Sequence, residues 1–196
     1  YHGYETMNEN LDLFEKVINK TIPKVDYVDI RGGNGNNTSI IMKDGEVQEI
    51  NTGNSLGIRI RVLNNGAWGF AYTNDLSKLD EIAQTSIKIS NSLKGDESLS
   101  KADIIQDKVS TDVKIPFSDV SIEEKKEIMS EASKAASLKE VTSTTVSYSD
   151  SQSQEVILSS EGTSIEMNTN RVAMFLNAAA SDGTMMQIGH NSIGGV

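Results

Sequence analysis

Leu11, Phe14, Val17 and Ile18 recur at helical spacing, with Glu9, Glu15, Lys16 and Lys20 elsewhere around the turn. The pattern predicts an amphipathic helix over residues 8–20, ended by Pro23, which lacks the N–H a helix needs. The period then shortens to two. Residues 27–31, 39–42 and 46–50 read as strands, with the Gly- and Asn-rich run 31–37 as a flexible hairpin loop. Asp44-Gly45 predicts a type I′ turn, in which both central residues need positive φ. Residues 57–63 alternate strictly, placing Ile58, Ile60 and Val62 inward and Arg59 and Arg61 outward. Asn64-Asn65-Gly66 then turns the chain into a strand at 67–72, completing an antiparallel meander.

Helical spacing returns over 75–93 through Leu76, Leu79, Ile82, Ala83, Ile87 and Leu93, with Gly95 as the closing residue. In the segment 96–119, residues 109–115 are compatible with an edge strand limited by Pro116. Ser121 and Glu124 have capping-box spacing and open a helix to about residue 138. Its buried side is expected at Ile128, Ala132, Ala135 and Ala136. Strands that are polar on both faces follow from Val141, notably 141–150, and are expected to edge the sheet or line a wet cavity.

An internal correspondence organises these elements. At an offset of 117 residues, Asp44-Gly45 falls on Glu161-Gly162, Asn65-Gly66 on Asp182-Gly183, and Asn51-Thr52 on Asn168-Thr169. The same frame lays the helix at 8–20 on 125–137. The expected architecture is an α+β fold with a large, mainly antiparallel sheet, built from a duplicated α-β-β-β-β unit. Its halves are 8–74 and 125–191, joined by the helix at 75–93 and the segment 96–119. Met7 is read as the native start and residues 1–6 as a vector-derived leader, while the run 193–196 reads as a cut through a longer protein.

Composition narrows the chemistry. The 196 residues carry 18 Lys and Arg against 28 Asp and Glu, a formal charge of −10, which disfavours direct contact with nucleic acid. There are no cysteines, consistent with a reducing compartment and hence a cytoplasmic location. No apolar run reaches the ~18 residues of a membrane span, so no membrane association is expected. Of the two histidines, His2 lies in the leader and His190 lacks a second ligand at metal-site spacing. The glycine run at 32–35 lacks the lysine of a phosphate-binding loop. Glu123-Glu124 sit where a helix dipole favours carboxylates, and Asp96-Glu97 at a helix exit. Trp68 and Phe70 are expected to face the core rather than to form a ligand-stacking platform.

The ordered runs 27–31, Lys43-Asp44-Gly45-Glu46-Val47, 57–62, Gly66-Ala67-Trp68-Gly69-Phe70-Ala71 and 73–77 resemble the N-terminal region of the TldD/PmbA family. Ser159 to Gly162 with Glu166 and Arg171, and the closing 190–195, resemble that family's second strand block and the segment before its C-terminal domain. The form of 66–71 is closer to the TldD branch. These proteins are predicted zinc-dependent peptidases, also named modulators of DNA gyrase. The resemblance implies that zinc is held by a His-Glu-x-x-x-His helix in a C-terminal domain beyond residue 196. No catalytic, cofactor-binding or metal residue is therefore assigned to this chain, and this part alone is expected to be inactive. It implies a domain that walls a peptide-access cleft and makes subunit contacts, as a homodimer or a TldD–PmbA heterodimer. A second reading is a stand-alone peptide- or protein-binding module that adds a strand to an exposed sheet edge. The gyrase role in the family's name finds no support in the residues.

Overall fold

The computed structural model describes residues 7–196; residues 1–6, with His2 and the leader expected there, lie outside them. Helix α1 is Leu11–Thr21, followed by strands β1 (Tyr27–Lys43), β2 (Glu46–Asn64) and β3 (Ala67–Thr73). Helix α2 is Leu79–Ser92 and strand β4 Gln106–Ser110; α3 (Ile122–Ala136) then leads into β5 (Val141–Ser159), β6 (Ser164–Ser181) and β7 (Met186–Gly195). The seven strands form one sheet in the order β3-β2-β1-β5-β6-β4, with β7 also paired to β6. The α+β class and the large, mainly antiparallel sheet hold. Parallel pairing occurs between β4 and β6.

Each of the helices α1 and α3 is followed by three strands, where four were expected. The difference lies at residues 32–37, which are not a loop but the middle of β1. A Cβ on Gly32 would stand 3.0 Å from Met7 Sδ and from the Phe14 ring, so glycine here makes room for the helix side chains that cover the strand. The edge strand expected at 109–115 is instead Gln106–Ser110. Beyond it Thr111 leaves strand geometry, and its Oγ1 accepts from the Asn170 backbone N–H (2.9 Å) and Nδ2 (3.0 Å).

The chain forms two compact units. The first comprises residues up to Gly35 with Ser55–Ser110 and Ser153–Asn168; the second comprises Asn36–Asn54, Thr111–Gln152 and Thr169–Val196. In the first, Phe14 and Val17 of α1 and Leu79, Ile82 and Ile87 of α2 pack on Val28 and Ile30 (β1), Ile58, Ile60 and Val62 (β2), and Val156 and Leu158 (β5). Burying each such side chain contributes about 1.5–3 kcal/mol. Helix α2 approaches β3 so closely that a Cβ on Gly69 would meet Ser86 O at 2.0 Å and Ser90 N at 2.6 Å.

The second unit is built on Ile40, Met42, Met129 and Val146, with Met174 and Leu176 of β6 packed against them. Its helix turns a different side inward than hydropathy indicates. Lys125, Met129 and Ser133 are buried, whereas Ile128 is 52% exposed and Ala135 is exposed. Partners inside the fold accept the two polar residues: Lys125 Nζ pairs with Asp150 at 2.7 Å, and Ser133 Oγ lies 2.6 Å from Thr144 Oγ1. The capping box forms as expected, with Glu124 N–H donating to Ser121 Oγ and Ser121 N–H to Glu124 Oε2.

Turn chemistry follows the sequence. Asp44 and Gly45 have φ of 52° and 82°, and Asn65 and Gly66 have 48° and 72°, both pairs of the type I′ sign. The turn into β7 is held by Asp182, whose Oδ1 accepts from Met185 N–H, Thr184 Oγ1–H and Thr184 N–H at 2.7–2.9 Å. The Met185 N–H, then the Thr184 hydroxyl and N–H, hold the carboxyl down from 3.8 to about 2. A depressed carboxyl pKa contributes stability above the unfolded value and loses it as pH falls through the folded one. We therefore expect Asp182→Asn to lose less stability than the parent between pH 3.8 and about 2, as read from urea melts at each pH; parallel losses would refute the assignment.

Candidate functional site

The face of the first unit's strands turned away from α1 and α2 carries its chemistry. Alternation along β2 buries Ile58, Ile60 and Val62 beneath the helices and leaves Arg59 and Arg61 on the other face. On β3, Ala67 and Gly69 take the helix side, so Trp68, Phe70 and Tyr72 share the face of the arginines. The antiparallel register sets Arg59 opposite Tyr72 and Arg61 opposite Phe70. This corrects the expectation of a core-facing aromatic pair: Phe70 is 59% exposed and Tyr72 81%. Glycine at 69 decides it, because the tight seat of α2 leaves no room on that side for larger side chains.

Asp29 anchors this surface. Its carboxylate is buried and accepts from Arg61 Nε at 2.8 Å and Nη2 at 2.7 Å, with Arg59 Nη2 at 3.8 Å from its other oxygen. A charge taken from water needs such partners, and the fork of Arg61 supplies them. The Arg61 guanidinium lies 4.4 Å from the centre of the Trp68 ring, and Tyr27 meets that ring edge-on at 6.0 Å. Burial, then the neighbouring Asp29, pushes the Tyr27 hydroxyl up to about 12, so it stays neutral at physiological pH. Arg31 pairs with Glu155 through Nε (3.1 Å) and Nη2. On the same face opens a cleft of about 510 Å³, bordered by Arg31, Gly33, Gly57, Arg59, Tyr72 and Glu155.

Such a surface can bind, stack and orient a ligand. Among the described residues no group of three or more His, Cys, Asp or Glu is placed to hold a metal ion. His190 is exposed on β7 opposite Asn177. Glu124 is engaged in the helix cap, and Asp96 and Glu97 are exposed past the end of α2. Of the two expectations for the polar strand at 141–150, the sheet edge is corrected: it belongs to β5, which lies between β1 and β6 and so offers no free backbone edge. The cavity is present, since Val141, Thr142, Ser143 and Thr144 border a pocket of about 350 Å³ with Asp44 and Ser133. The strand's polar side chains are tolerated there because they find partners, Thr144 with Ser133 and Asp150 with Lys125 and the Tyr148 hydroxyl. The signal missed in the sequence is the alternation Tyr27, Asp29, Arg31, which sets an acid on the same face as Arg59 and Arg61.

Comparison with known proteins assigns the chain. A family model described as PmbA/TldA metallopeptidase domain 1 matches residues 28–90, and one described as the PmbA/TldA metallopeptidase central domain matches residues 115–196. A metalloprotease of Methanothermobacter thermautotrophicus is 46% identical over 189 residues, covering 96% of this chain and 42% of the relative. One from Methanocaldococcus jannaschii is 35% identical over 192 residues, 95% of this chain and 42% of its own length. The chain thus spans 42% of the length of these relatives. In structure it is similar to a Bacteroides thetaiotaomicron protein named as a modulator of DNA gyrase. The TM-score is 0.77 at 17% identity, covering 95% of this chain and 45% of that one. It is also similar to TldE of Thermococcus kodakarensis, with a TM-score of 0.71 at 15% identity, covering 92% and 42%. At these identities the structural likeness speaks to the fold alone. The two family matches, which together span most of the sequence, and the metalloprotease relatives establish that this chain belongs to the PmbA/TldD metallopeptidase family.

Proposed function

We propose that this chain is the non-catalytic part of a peptide-hydrolysing metallopeptidase, and that the arginine–aromatic face of its first unit lines the path of the substrate. One observation carries the reading: a buried carboxylate, Asp29, fixes Arg61 over Trp68 on an otherwise open sheet face, so a binding surface is held ready before any ligand arrives. Zinc fits the metalloprotease names of the relatives. On this reading the zinc belongs to the rest of the full-length protein; among the described residues no group of three or more His, Cys, Asp or Glu is placed to hold it.

Exposed apolar residues on β6 and β7, among them Phe175, Ile188 and Ile193, support a further role in contacts with a second subunit, as a homodimer or with a related chain. No described helix is long and apolar enough to cross a membrane.

The test compares this chain with the full-length protein in peptide hydrolysis and bound zinc. We expect zinc and cleavage in the full-length protein only, and in it Trp68→Ala should raise KM about tenfold while kcat is kept, the pattern of lost uniform binding. Zinc-dependent cleavage by this chain alone would overturn the proposal, as would an unchanged KM.

A further inference from the structure

The three arginines of this face, of which Arg31 and Arg59 line the cleft, differ in how far their donors are used. Arg61 gives Nε and Nη2 to Asp29 and lies over Trp68. Arg31 gives Nε and Nη2 to Glu155. The Arg59 side chain makes no hydrogen bond among the described residues; its contact is an ion pair of 3.8 Å to Asp29, whose other oxygen already serves Arg61. A guanidinium carries five N–H donors in a planar fork, and those of Arg59 are unspent. Its side chain is 44% exposed and stands opposite Tyr72, which brings a phenol to the same cleft. Beside Arg59 on the same strand the cleft is open: a Cβ on Gly57, two residues along β2, would meet nothing within 4 Å.

Charge limits what can sit there. Arg31, Arg59 and Arg61 against Asp29 and Glu155 leave this face one positive charge in a chain of net charge −10. That balance suits a single anionic group. A polyphosphate or nucleic acid would meet the two carboxylates here and the repulsion of the whole chain. A planar fork beside a hydroxyl matches the two oxygens of a carboxylate. On the reading that the substrate is a peptide, the carboxylate every such chain carries is its own C-terminus.

We propose that Arg59 and Tyr72 form a subsite for the C-terminal carboxylate of the bound peptide, so that the substrate is held by its end on this sheet face. The inference rests on the peptidase reading above, and its test is arranged to fail separately. Binding is measured by calorimetry on the full-length protein stripped of metal, where hydrolysis plays no part. The probes are one peptide as the free acid, the same peptide as its C-terminal amide, and the amide with an added internal Glu.

The free acid should bind about tenfold or more tighter than the amide, the range for a hydrogen bond to a charged group. Arg59→Gln should erase that difference by weakening the acid alone. Arg59→Lys should restore part of it, and Tyr72→Phe should reduce it a few-fold. Equal binding of acid and amide overturns the proposal, as does an equal loss for both peptides in Arg59→Gln. If the internal Glu restores the amide to the level of the acid, the end-specific subsite is likewise refuted. A circular dichroism melt of Arg59→Gln that matches the parent excludes a folding defect. Should the metal-loaded protein cleave no peptide while the acid preference persists, the peptidase reading fails and the subsite stands.

Discussion

Lys125→Met is expected to destabilise the second unit by about 3–5 kcal/mol, the usual cost of stripping one partner from a buried ion pair. Lys125 and Asp150 are both buried, 2.7 Å apart, and are bound on either side: Tyr148 donates to Asp150 at 2.7 Å, and Lys125 Nζ reaches Phe117 O at 3.4 Å. Burial, then the bond to Asp150, raises the Tyr148 hydroxyl well above its ordinary value, so the phenol remains a neutral donor and cannot replace the lost cation. With Lys125 gone, the carboxylate is left in the core with one hydrogen bond to offset its desolvation. The double variant Lys125→Met/Asp150→Leu removes the stranded charge and should recover most of the loss, because an apolar pair of similar volume often matches a buried salt bridge. Urea unfolding followed by amide exchange in α3 and β5 reads both. A single variant that loses less than about 1 kcal/mol, or a double variant weaker than the single, would contradict this account.

Gly69→Ala should cost about 3 kcal/mol or more, at or above the upper end of ordinary overpacking. The added carbon would stand 2.0 Å from Ser86 O and 2.6 Å from Ser90 N, both backbone atoms of α2 that no rotamer change can move. Relief requires α2 to rise from β3. That would pull the Ser86 hydroxyl from Ile60 O, now at 3.0 Å, and loosen Leu79, Ile82 and Ile87 in the core. Gly189→Ala on β7 is the control, since nothing lies within 4 Å of the added carbon. Thermal melts should separate the two clearly; coincident melting temperatures would show that α2 yields at no cost.

These variants also mark where reading the sequence succeeds and where it stops. Alternation over 57–63 placed Arg59 and Arg61 outward, Asp44-Gly45 gave its turn and Ser121 with Glu124 its cap, because each is set by neighbours along the chain. The failures are all settled by distant residues. Gly32 reads as loop until Phe14 of α1 is seen above it. Lys125 reads as surface until Asp150 is found beneath α3, and β5 reads as an edge until β1 and β6 are found on either side of it. The site shows the same division. Outward arginines were legible, but the carboxylate that fixes one and leaves the other unspent came only with the pairing of β1 against β2.

The first unit joins residues far apart in the chain: Val28 and Ile30 share a cluster with Val156 and Leu158. Synthesis is vectorial, at about 5–20 residues per second. For several seconds after β1 emerges, therefore, its β5 neighbour has not yet been made, and the apolar side of β1 and β2 waits with an incomplete core. A nascent chain halted short of Leu158 cannot close that cluster whatever its intrinsic stability. The closing element of the first unit is thus fixed by the order of translation and arrives late.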